Sequence, residues 1–98
     1  MIHIFIPFRV QENAIEEAHS IIARFIEQVR QHEDHTMAYS SWQMADDPTS
    51  FFHTMTFASD EAHDQHRASA YVQEFVERLY PICTEKPKAK QVVLVNKK

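Results

Sequence analysis

Ninety-eight residues, 44% of them hydrophobic, with a formal charge of −4, predict one domain spanning residues 1–98 around a single core. The charge argues against a nucleic-acid partner, which needs clustered Lys and Arg, and Lys86, Lys88, Lys90, Lys97 and Lys98 read instead as a solubilised turn and tail. The absence of Gly excludes glycine-rich phosphate loops, no apolar run reaches the roughly 18–20 residues of a membrane helix, and a single cysteine, Cys83, excludes an intrachain disulfide.

A lone thiol suits a reducing compartment. The first residues lack the basic and apolar regions of a secretory leader, so a cytoplasmic protein is expected. Ile2 to Val10 alternates with a period of two and predicts a strand. Pro7 cannot donate to a ladder, so an edge position or a bulge is expected there. Asn13 and Glu16 resemble a capping box that opens a helix. Ile15, Ala18, Ile22, Phe25, Ile26 and Val29 recur at helical spacing, and the helix should fade near Gln31–Glu33.

Thr36 to Met44 is β-rich and predicts a second strand. Residues 45–50 form a turn signal, and Phe51 to Ala58 a third strand. Phe51, Phe52, Met55 and Phe57 suggest a strand with bulk on both faces, one to be covered by a second subunit. Ser59 should cap a further helical region, with Asp60 and Glu61 at its positive end and Tyr71, Val72, Phe75, Val76 and Leu79 as its apolar stripe. Pro81 ends it, Lys86-Pro87-Lys88 is a connection, and Gln91 to Val95 a last strand. The order β-α-β-β-α-β predicts a ferredoxin-like α+β fold with an antiparallel sheet. The small size predicts a homodimer.

Seven histidines raise the question of a metal. His32-Glu33-Asp34-His35 lies at a helix exit, where such side chains cap carbonyls or face water. His63 and His66 are spaced i, i+3, not the i, i+4 of the His-Glu-x-x-His helix. No metal, flavin or haem is expected. Cys83 follows Pro81 at a helix end beside Glu85, the opposite of what a low-pKa thiolate wants, and reads as packing. A different pattern points to a small-molecule site. His53, Met55 and Phe57 share one face of the third strand, and His66 follows on the next helix. A strand face with a helix-borne His can line an apolar pocket carrying one titratable group.

In that order and spacing, Glu33, Asp46-Asp47-Pro48, Phe51 to Phe57, Asp60-Glu61-Ala62, His66, Ala68-Ser69 and Phe75 resemble the antibiotic biosynthesis monooxygenase (ABM) superfamily over nearly the whole chain. The resemblance implies a dimeric α+β barrel whose subunits pack sheet to sheet. It also implies a pocket between sheet and helices, and oxidation of quinols or aromatic polyketides by O₂ without a prosthetic group. Three positions depart from the family pattern: Met55 replaces a Glu, Phe57 a Trp and His35 a Gly. Val76 stands where the haem-degrading branch has its axial His, which disfavours haem.

Two functions are therefore carried. The first is a cofactor-free, quinol-monooxygenase-like enzyme acting on a small aromatic or quinol, with His66 as catalytic base or oxyanion partner, His53 orienting the substrate, and Met55, Phe57 and Tyr71 as walls. The second is a non-catalytic dimeric module that binds a small ligand or regulates. A clustered His53/His66 pair in a closed apolar pocket favours the first; a pocket filled by Phe57 and Met55 favours the second.

Overall fold

The computed structural model describes residues 1–98 as strand β1 (Ile2–Val10), helix α1 (Ile15–His32), strands β2 (Thr36–Met44) and β3 (Asp47–Phe57), helices α2 (Asp60–Arg67) and α3 (Ala70–Leu79), and short strands β4 (Cys83–Glu85) and β5 (Lys90–Val92). This is the expected α+β class with an antiparallel sheet, ordered β2-β3-β1-β4, with β5 also on β1. No helix is long and apolar enough to cross a membrane.

β1 is central, not an edge. It pairs with β3 from Ile2 to Arg9 on one flank. On the other, β5 takes His3 to Phe5 and β4 takes Arg9 and Val10, with an irregularity between those two residues. Pro7 falls in the gap between β5 and β4, where a missing N–H costs no ladder bond on that flank. Helix α1 is not opened by a capping box. A 3-10 turn at Glu12–Ala14 leads into it, its N-cap is Ala14, and no side chain caps it. The helix ends where expected, at His32.

The turn between β2 and β3 is tighter than its composition suggested. Only Ala45 and Asp46 turn, because the Asp47 carboxylate accepts from the Thr49 N–H (3.1 Å) and hydroxyl (2.6 Å) and pairs with Arg9 (3.0 Å), holding Asp47 in the strand. The last strand is Lys90–Val92, shorter than Gln91–Val95 and shifted. Val92 pairs with His3, so the next residues run past the start of β1 and find no partner. Val93 and Val95 are accordingly exposed.

The two faces of β3 differ from the sequence expectation. Phe51, His53, Met55 and Phe57 all point to the helix layer and are buried. Phe52 alone of the large residues points the other way. There it packs with Phe5 (5.5 Å between centroids) and Trp42 (6.0 Å) on a face that no helix covers. Under the helices the core forms two clusters. One holds Phe8, Val10, Ala18, Ile22, Phe51 and Leu79. The other holds Ile4, Met55, Phe57 and Ala62.

The second helical region is two helices. Ser59 caps α2 by accepting from the Ala62 N–H. Ser69 then caps α3 by accepting from the Val72 N–H while its hydroxyl donates to the His66 carbonyl (2.7 Å). Side chains of this kind compete with the helical ladder, and the chain turns at Ala68–Ser69. The break puts His66 at the end of α2 and Tyr71 at the start of α3, and both reach Glu33.

Candidate active site

Glu33 leaves α1 in extended backbone, and its side chain returns beneath the helix break instead of facing water. One carboxylate oxygen accepts from the Thr36 hydroxyl. The other accepts from the Tyr71 hydroxyl and from His66 Nδ1 (2.7 Å). Both members of the Glu33–His66 pair are nearly sealed from solvent. A buried carboxylate is tolerated only when its lone pairs are used, and here three donors converge on it. Burial, together with the Glu33 hydrogen bond and charge, pushes the Tyr71 hydroxyl up to about 12, so it stays a donor. With Nδ1–H given to Glu33, Nε2 of a neutral His66 carries a free lone pair; no group of the chain bonds it.

His66 stands between two spaces. On one side is a polar groove of about 490 Å³ that also meets His32, Glu33, Asp34, His35 and Tyr71. On the other is a mainly apolar cavity of about 240 Å³ between sheet and helices, closed by Val72, Phe75 and Val76 of α3 and by Pro87 and Ala89. It opens between the two core clusters, with Phe8 of one and Ile4 and Met55 of the other in its walls.

Tyr39 lies in the cavity wall between two imidazoles, its ring 5.4 Å from His53 and 5.8 Å from His66. Its hydroxyl is 3.0 Å from His53 Nδ1. Burial, and then the Glu33 charge, raises the Tyr39 hydroxyl well above its ordinary range, so it remains protonated. Burial pushes His53 down to about 4 and keeps it neutral at physiological pH. Burial also raises the Cys83 thiol to about 11, so it is not a thiolate there.

His53, Met55 and His66 therefore line one cavity, together with the Tyr39 ring. Phe57 does not line it. Its side chain is fully buried beneath, against His63 (4.9 Å) and His66 (5.1 Å), because the strand end is covered by α2. Tyr71 is not a wall of the apolar cavity either. The turn at Ser69 directs it to the polar groove and to Glu33. Two residues of the site carried no local signal. Glu33 read as a solvated helix exit, marked only by its place in the family resemblance. Tyr39 reaches the cavity through its pairing with Met55, a long-range register. No three His, Cys, Asp or Glu side chains converge to hold a metal ion.

Residues 1–78 match the family described as antibiotic biosynthesis monooxygenase. The chain belongs to the ABM family. Solved structures agree on the fold. One antibiotic biosynthesis monooxygenase superposes with a TM-score of 0.89 at 18% identity, covering 98% of this chain and 100% of the other. A candidate antibiotic biosynthesis monooxygenase from Nitrosomonas europaea gives 0.88 at 20%, covering 98% and 100%. A Mycobacterium tuberculosis protein gives 0.86 at 17%, covering 98% and 96%. At these identities the likeness establishes the ABM fold and nothing finer. No curated protein matches the chain.

Proposed function

We propose that this chain is a cofactor-independent monooxygenase acting on a small aromatic or quinol-type substrate, as a cytoplasmic homodimer. One observation carries the reading. A buried His66 gives Nδ1–H to the Glu33 carboxylate at 2.7 Å, leaves its other nitrogen unbonded, and lines the wall of a mainly apolar cavity. This is the arrangement of a general base whose tautomer is held by a carboxylate.

In the mechanism the substrate hydroxyl gives its proton to His66 Nε2, and Glu33 stabilises the imidazolium that forms. The low-dielectric walls, Met55 and Phe75 among them, leave the substrate anion poorly solvated and electron-rich. That anion reduces O₂ itself. One oxygen atom enters the ring, and the other leaves as water with two hydrogens from the substrate. A quinol thus becomes a hydroxyquinone, and no external reductant is consumed.

The alternative of a non-catalytic module forecast a pocket filled by Phe57 and Met55. Phe57 lies outside the cavity, which favours the enzyme. The homodimer rests on the aromatic face of Phe5, Phe52 and Trp42, which nothing in one subunit covers.

Incubation with 1,4-dihydroxynaphthalene under ¹⁸O₂, with no cofactor added, tests the reaction. One labelled atom per product molecule is expected, formed faster than in buffer alone. Product formed at the buffer rate, or carrying no label, would contradict it.

A further inference from the structure

His53 is 1% exposed and lines the cavity, yet its Nε2 has no hydrogen-bond partner. Its other nitrogen meets the Tyr39 hydroxyl, which has no second partner. Two proton arrangements are open to this pair. If Nδ1 carried the proton, the Tyr39 O–H and the Nε2 lone pair would both be left over. If Tyr39 donates to Nδ1, the Nε2–H and the acceptor lone pairs of the phenol oxygen are left over. Each arrangement leaves one donor and one acceptor unpaired, but an imidazole nitrogen accepts more strongly than a phenol oxygen, so the arrangement that uses the Nδ1 lone pair and idles only the weaker phenol acceptor is preferred. The result is an unpartnered imidazole N–H on a residue that lines a mainly apolar cavity.

We infer that His53 is the specificity-determining residue of this cavity, donating Nε2–H to a carbonyl or phenolate oxygen carried by a flat one- or two-ring ligand. The inference rests on the cavity being the substrate site and adds which substrates fit it. The volume of about 240 Å³ admits a small ring system and no long chain. The apolar walls ask for a hydrocarbon body. Arg67 also lines the cavity but its guanidinium is paired with Asp64, so the neutral His53 N–H, which has no partner in the chain, asks for an oxygen that accepts. Burial keeps His53 neutral, so a cationic imidazole is not what recognises the oxygen. Met55 on the same strand face adds no charge to the wall, so a ligand anion meets no repelling carboxylate there. The division of labour is then between two histidines: His66 accepts the proton of one oxygen, and His53 donates to another.

Binding, not turnover, tests this, so its failure and that of the proposed reaction are distinguishable. The probes are 1-indanone and indane, one ring frame with and without the carbonyl. Hydrophobic transfer alone favours indane. The wild-type chain is expected to bind 1-indanone about tenfold more tightly. In His53→Leu the ratio should fall to about unity or below. Because that variant removes a buried group, a measurement on the unaltered chain stands beside it. The ¹⁵N resonance of His53 Nε2 should show a protonated nitrogen that shifts on adding 1-indanone and not indane. Equal affinities in the wild type, no binding of either probe, a preference that survives His53→Leu, or a His53 Nε2 unmoved by 1-indanone would each overturn the inference.

Discussion

Glu33 accepts three hydrogen bonds on two oxygens, and this decides what its replacement should do. Glu33→Gln puts an NH₂ group among donors, so at least one of Thr36, His66 or Tyr71 loses its acceptor. A stability loss of about 1–3 kcal/mol follows from the orphaned group. If His66 is the base, turnover should also fall by roughly 10²-fold or more, since its tautomer is no longer held. Urea unfolding and steady-state rates of this variant separate the two effects. His53 makes a prediction in pH. Its folded value is about 4, against roughly 6.5 unfolded, so between these the unfolded chain binds a proton that the fold excludes. Stability should therefore fall as pH drops from about 6.5 to about 4, by on the order of 3 kcal/mol from this residue. His63, lowered mainly by burial, acts in the same direction, so the wild type must be compared with His53→Leu, whose profile should be flatter. Parallel profiles would show that His53 is not buried neutral. The sequence made His53, Met55 and His66 legible because strand alternation is local. Phe57 was misplaced because the same alternation cannot say that α2 seals the strand end. Phe57→Ala should accordingly act as a core deletion, costing about 3–5 kcal/mol, a loss visible in thermal unfolding.

At the scale of elements, the break between α2 and α3 organises the site. Without it Tyr71 would continue the α2 spiral and not return to Glu33. Ser69 maintains the break through its cap on Val72 and its bond to the His66 carbonyl. Ser69→Ala should cost about 1 kcal/mol, a drop of roughly 4–8 °C in Tm for a domain this small. It should also loosen His66, whose carbonyl it releases. An unchanged Tm would mean that packing alone sets the break. Ser59 and Pro81 were readable as the two ends of the helical region, since a cap and a breaker are local signals. The turn inside it was not, because Ala68-Ser69 contains neither Gly nor Pro. β1 was legible by its period, but its central position was not, since Pro7 usually marks an edge and here falls at a gap between two short partners. The short β5 likewise follows from how much of β1 is left to pair with, a property of the assembled sheet.

For the whole molecule, one face of the sheet lies under helices and the other carries Phe5, Phe52 and Trp42, with Trp42 52% exposed. Burying what remains exposed of these side chains favours covering this face with a second copy. A dimer is expected by light scattering at micromolar concentration, and Phe52→Glu with Trp42→Glu should give monomer. A monomeric wild type would contradict this reading. The proposed reaction hinges on His66, whose Nδ1 is taken by Glu33 and whose Nε2 is free. The most direct measurement is O₂ consumption with 1,4-dihydroxynaphthalene by the wild type and by His66→Ala, each first shown to be folded and in the same oligomeric state. The account predicts that turnover falls by roughly 10²–10⁴-fold in the variant. A folded His66→Ala that consumes O₂ at the wild-type rate would contradict it.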